Sequence, residues 1–130
     1  MSEFSLATIS PHSKIVICGR KRTGKARLAQ FLSYRLDAII INLVEKENHS
    51  RSEVELLMVN KRKGVIAIVR HAIELSPKAR TNVDYVFIPN ATKTDFQTIC
   101  KKWDFCWQDV EVVPSMVLDI NQQQLYRYDI

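Results

Sequence analysis

Four short apolar runs mark the chain from residue 14 onward: Lys14 to Cys18 (KIVIC), Ala38 to Leu43 (AIIINL), Val65 to Val69 (VIAIV) and Val83 to Ile88 (VDYVFI). Each is rich in Ile and Val with almost no polar alternation, the pattern of strands buried on both faces of a parallel sheet. Between them the period lengthens. Lys25 to Leu36 puts Leu28, Ala29, Leu32 and Leu36 on one stripe, as an amphipathic helix does. Ser52 to Lys61 predicts a second helix that buries Val54, Leu57 and Met58 behind a capping box, Ser52-x-x-Glu55. Thr94 to Trp103 sets Phe96, Ile99, Cys100 and Trp103 at i, i+3, i+4 and i+7 after a similar opening, Thr94-x-x-Gln97. The link HAIELSPKARTN carries Pro77 and predicts a loop or one short helical turn. Two further strands, Met116 to Ile120 and Leu125 to Tyr128, are joined by NQQQ, which suits an antiparallel hairpin closing one edge of the sheet. The fold class expected is α/β: a mostly parallel sheet flanked by helices, with a C-terminal β-hairpin. It forms one domain over residues 14–130, preceded by an N-terminal tail, residues 1–13.

Composition narrows the class. A chain of 130 residues, 46% hydrophobic and 25% charged, has enough apolar content for a single core and too much for extensive disorder. The apolar runs are far shorter than the roughly 20 residues of a membrane span. The N-terminus, MSEFSLATISPHSK, lacks the basic start and long apolar region of a secretory signal, so a cytoplasmic location is expected, in a host cell or a virion if the protein is viral. Cys18, Cys100 and Cys106 form an odd set without a C-x-x-C pair, which predicts free thiols in a reducing compartment and no zinc site. The net charge is +5. It is concentrated at Arg20, Lys21, Arg22, Lys25 and Arg27, and again at Lys61, Arg62 and Lys63. Such clusters suit polyanions, either nucleotide phosphates or a nucleic-acid backbone, and equally suit a solvated basic face.

The first basic cluster sits in a motif. Gly19, Arg20, Lys21, Arg22, Thr23, Gly24, Lys25 and Ala26 follow a strand and open a helix, matching G-x-x-x-x-G-K-[ST] at every position but the last. The glycines allow backbone N–H groups to curl around a phosphate, the helix adds its positive end, and Lys25 would reach the terminal phosphates of ATP. Ala26 replaces the hydroxyl that holds Mg²⁺, so metal binding is weakened. The acidic position expected at the end of a neighbouring strand is equally altered: DAIIINLVEKE places Asn42 and Leu43 there, with Asp37 before the strand and Glu45 and Glu47 beyond it.

Residues 60–89, NKRKGVIAIVRHAIELSPKARTNVDYVFIP, together with the glycine loop and the final strand, resemble FtsK/HerA-type viral genome-packaging ATPases. The resemblance implies a P-loop NTPase fold, with Arg70 and His71 where the family's sensor strand usually ends in Gln. Arg80 falls where the family places an arginine that acts on a neighbouring subunit. Three readings stand together. In the first, a reduced relative binds nucleotide or DNA phosphates through residues 19–26 with weak or no hydrolysis. In the second, a competent small ATPase or phosphotransferase uses Lys25 and Arg80, with Glu45 or Asp37 as the acid. In the third, a non-catalytic assembly protein retains the fold as a homo-oligomer or virion component and offers Trp103, Phe105 and Trp107 to its partners.

Overall fold

A computed structural model describes residues 1–44, 49–107 and 110–129. Its strands are β1 (Ser2–Glu3), β2 (Lys14–Cys18), β3 (Ala38–Asn42), β4 (Gly64–Val69), β5 (Tyr85–Pro89), β6 (Ser115–Asp119) and β7 (Gln124–Arg127). They form one sheet in the order β1-β7-β6-β5-β2-β4-β3. The strand β2 is central and parallel to both β4 and β5, and β3 is parallel to β4 on the outside. The hairpin of β6 and β7 is antiparallel, as expected, and β6 also runs antiparallel to β5. Every residue of β2 and of β4 is buried. That explains why neither strand shows a polar face in the sequence.

Alternate residues of these strands supply two apolar layers. On one face Ile15, Ile17, Ile66, Ile68 and Phe87 meet Leu28, Ala29 and Leu32 of α1 (Lys25–Arg35). On the other, Val16, Cys18, Val65, Ala67 and Val69 meet α2 (Arg51–Val59), α3 (Pro77–Arg80) and α4 (Lys93–Lys102) through Val54, Met58, Ala79, Phe96 and Ile99. The two expected caps lie two residues earlier than the sequence patterns placed them. The Ser50 hydroxyl accepts from the Glu53 N–H at 3.2 Å, and the Thr92 hydroxyl from the Asp95 N–H at 3.2 Å. Each of these caps has an acidic residue at the third helical position, where the helix's positive end favours it. The link after β4 contains a 3-10 turn (Ala72–Glu74) and then α3, with Pro77 in the first turn and Ser76 as cap. Val83, expected to open the next strand, instead closes the turn after α3 by donating to the Arg80 carbonyl at 3.2 Å.

Residues 1–13, set apart from the sequence as a tail, add a short strand to the sheet and bury Phe4, Ile9 and Ser13. The strand β1 pairs in parallel with β7, Ser2 opposite Tyr126 and Glu3 opposite Arg127. Phe4 lies edge-on to Tyr85, Phe87 and Tyr126, with ring centroids 5.4, 5.8 and 5.5 Å away. The physical cause is coverage. Helix α1 lies over β2, β3 and β4, which leaves apolar groups such as Phe87, Val117 and Tyr128 on that face for Phe4 and Ile9 to bury. Further along, the Pro11 carbonyl comes so close to Gly64 that a Cβ there would overlap it.

Candidate phosphate-binding site

The loop leaves the sheet at its centre. Gly19 continues beyond β2, and its N–H donates to the Val69 carbonyl at 3.3 Å. It is buried, and a Cβ would stand 3.1 Å from the Thr23 hydroxyl oxygen. The chain then turns back into α1 through two left-handed residues, Arg22 at φ 61° and Gly24 at φ 80°. Such turns gather neighbouring N–H groups into a concave anion nest. The Thr23 hydroxyl donates to the Arg20 carbonyl at 2.8 Å and braces the turn.

Lys25 is the first residue of α1 and is only 7% exposed. Its Nζ donates to the carbonyls of Gly19 at 2.5 Å and Arg20 at 2.8 Å. Burial lowers its pKa, Arg70 adds to that effect, and Cys18 and Glu74 oppose it. An ammonium group has three protons. Two are committed to the loop, which fixes the cation. Ala26 follows, exposed, with a methyl where a hydroxyl would approach a metal.

Two cavities flank the loop. One, of about 390 Å³, opens toward α4 and is lined by Gly19, Arg20, Arg70, His71 and Asp95, among others. The Arg20 guanidinium reaches the Asp95 carboxylate at 3.5 Å across it. The other, of about 410 Å³, lies beside the start of α1, between Thr23, Arg27, Phe31, Asn90 and Tyr128. Near Lys25, Glu74 caps the 3-10 turn, accepting from the N–H groups of Arg70 at 3.3 Å and His71 at 3.2 Å. Among the described residues Glu74 and Asp95 are therefore the acidic groups of this region, and both escaped the sequence reading. For Glu74 the signal was present as the spacing His71-x-x-Glu74, which the structure shows as the Glu74 carboxylate accepting from the His71 N–H while the Glu74 N–H donates to the His71 carbonyl at 3.0 Å. Burial pushes the Cys18 thiol up to about 12, with Glu74 and Asp95 adding to that shift.

No protein-family model and no curated protein matches the sequence. Solved structures do. The genome packaging NTPase B204 from Sulfolobus turreted icosahedral virus 2, in complex with ATPγS, aligns with TM-score 0.61 and 14% identity, covering 93% of this chain and 98% of that one. Its sulfate complex aligns with TM-score 0.57 and 12% identity over the same shares. B204 described as the DNA-packaging ATPase from Sulfolobus turreted icosahedral virus aligns with TM-score 0.54 and 12% identity, covering 90% of this chain and 97% of that one. The chain has the P-loop NTPase fold.

Within that fold the loop 19–26 joins the interior strand β2 to α1, where the sequence pattern places the expected P-loop, and the structure places the remaining candidates around it unevenly. Arg20, Lys21 and Arg22 are exposed on the P-loop. Asn42 ends β3, one strand removed from β2, and its side-chain oxygen accepts from the Val44 N–H at 3.1 Å. Glu45 lies outside the described residues. Arg80 does not line the cavity beside the P-loop. Its Nη1 donates to the Leu75 carbonyl at 2.6 Å and the Ala72 carbonyl at 3.5 Å, tying the link between β4 and β5 together. The second basic cluster, Lys61 to Lys63, precedes β4 and so sits at the opposite end of the parallel sheet. There the carbonyls of Asn60 and Lys63 accept from the buried Lys14 ammonium. Trp103 and Phe105 are core residues, with the Trp103 indole N–H donating to the Arg80 carbonyl at 3.0 Å. Trp107 packs edge-on against Phe96. Among the described residues no three His, Cys, Asp or Glu side chains converge to hold a metal, and no helix is long and apolar enough to cross a membrane.

Proposed function

We propose that this protein binds a nucleoside triphosphate, ATP foremost, by its phosphates in the P-loop 19–26, and that hydrolysis is slow or absent. The observation that carries this reading is the Lys25 ammonium, buried and held by the Gly19 and Arg20 carbonyls at the mouth of the loop. Phosphate suits the donors present: the lysine, the left-handed backbone at Arg22 and Gly24, and the start of α1. Mg²⁺ suits them poorly. Ala26 offers no hydroxyl and Asn42 no carboxylate, so a metal arriving with ATP would be held by phosphate and water alone. The nucleoside would lie along α1 toward Asn90 and Tyr128, in the adjoining cavity.

The neighbours package viral genomes, which makes DNA, further copies of this chain and virion components its expected partners. In that setting Arg80 would have to exchange its contacts with the Leu75 and Ala72 carbonyls to act across a subunit boundary, and Glu45 would supply what acid remains. Calorimetric titration with ATPγS tests the reading. Binding that survives removal of Mg²⁺ and is lost by tenfold or more in Lys25→Ala supports it, and Ala26→Ser should make the affinity depend more on Mg²⁺. Absence of binding, or a Lys25→Ala variant with unchanged affinity, overturns it. Phosphate release that Lys25→Ala abolishes and Ala26→Ser accelerates would instead show a competent ATPase.

A further inference from the structure

We propose that the outward face of α1 is a platform for single-stranded nucleic acid. Arg27, Phe31, Tyr34 and Arg35 stand at i, i+4, i+7 and i+8, which places them along one side of a helix with 3.6 residues per turn. All four are exposed, Phe31 at 39% and Tyr34 at 92%. The sheet is contacted by other positions, Leu28, Ala29 and Leu32. Tyr34 therefore contributes nothing to the core.

The charge around this face indicates its occupant. From Phe4 to Leu36 the sequence holds seven Lys and Arg residues and no Asp or Glu, which leaves the remainder of the chain at −2 within the total of +5. Five of the seven, Arg20, Lys21, Arg22, Arg27 and Arg35, are exposed on the P-loop and α1. Among the described residues, neither Arg27 nor Arg35 is ion-paired to a carboxylate. A second copy of this chain would bring like charges together here, whereas a polyphosphate strand would neutralise them. Phe31 and Tyr34 add faces on which unpaired bases stack. Arg27 and Arg35, about 12 Å apart along the helix axis, bracket those rings and would meet the phosphates. In a duplex the base faces are already stacked, so the platform favours single strands.

The test is fluorescence anisotropy with a labelled oligothymidylate and with a duplex of equal length, in the absence of nucleotide. The single strand should bind more tightly than the duplex. Tyr34→Ala should weaken single-strand binding by roughly tenfold, the effect of losing one stacked base, while Tyr34→Phe retains it. Arg35→Gln should reduce the slope of log affinity against log salt by about 0.7, one phosphate contact. Tyr34, which lines neither cavity beside the loop, gives the control: Tyr34→Ala should leave ATPγS binding unchanged, so failure of the P-loop reading and failure of this one are told apart. The proposal is overturned by equal affinity for both oligonucleotides, by no binding, or by a Tyr34→Ala variant that binds like the parent. It is also overturned if Tyr34→Ala alters the mass seen in light scattering, which would mark a self-association face.

Discussion

Lys25 and Cys18 are neighbours whose chemistry burial pushes in opposite senses. Burial lowers the Lys25 pKa below its usual 10.5. An unfolded lysine then holds its proton to higher pH than the folded one, so Lys25's own contribution to stability rises with pH across that alkaline window. On the proposed reading, the same deprotonation removes the charge that would attract phosphate. Nucleotide affinity, followed by titration calorimetry, should therefore start to fall before pH 10.5 is reached, and Lys25→Ala should lose that dependence. Cys18 and Cys100 have their thiols pushed up to about 12 by burial, whereas Cys106 is exposed. Iodoacetamide treatment of the folded protein at mildly alkaline pH should give one adduct, at Cys106, in peptide mass spectrometry. At this scale the sequence was informative wherever the chemistry is local. Gly19, Gly24 and Lys25 belong to one contiguous loop, so their spacing alone marks them as candidates. Glu74 and Asp95 reach the same region from segments dozens of residues downstream, and only the sheet brings them there.

Periodicity predicted the elements better than it predicted their ends. The apolar stripe of α2 is shared by any helix that starts within a turn of the observed one, and Ser50-x-x-Glu53 and Ser52-x-x-Glu55 are equivalent as patterns. The structure selects Ser50. Ser50→Ala should cost about 1 kcal/mol of stability and Ser52→Ala less than about 0.5 kcal/mol, measured by urea denaturation. An equal effect of the two would refute the assigned cap. The link containing Pro77 was expected as a loop or one turn, and it holds two short turns because Glu74 and Ser76 each satisfy N–H groups of their own segment. The aromatic cluster at Trp103 to Trp107 admits two readings in the sequence, core and partner surface, and the structure gives Trp103 and Phe105 to the core. Its lysines are exposed while Trp103 and Phe105 point inward, a division that composition does not reveal.

The order of the strands depends on contacts that run the length of the chain. The parallel centre was legible from continuous apolar runs, but β1 has two residues, too few for any pattern, and Phe4 is an isolated aromatic in a polar stretch. Its three edge-on ring contacts nevertheless join the first segment to β5 and β7. Phe4→Ala should therefore destabilise the molecule by roughly 3–5 kcal/mol in equilibrium unfolding, although it lies far from the P-loop. A loss near zero would mean that residues 1–13 behave as the tail the sequence suggested. The pairing of β1 with β7 also sets a timetable. Ser2 and Glu3 emerge from the ribosome ahead of their partners Tyr126 and Arg127, which follow more than 120 residues later. At roughly 5–20 residues per second, Phe4 waits on the order of 6–25 s for its last aromatic neighbour. During that interval a chaperone can hold the nascent segment, and the sheet completes only once β7 has left the ribosome.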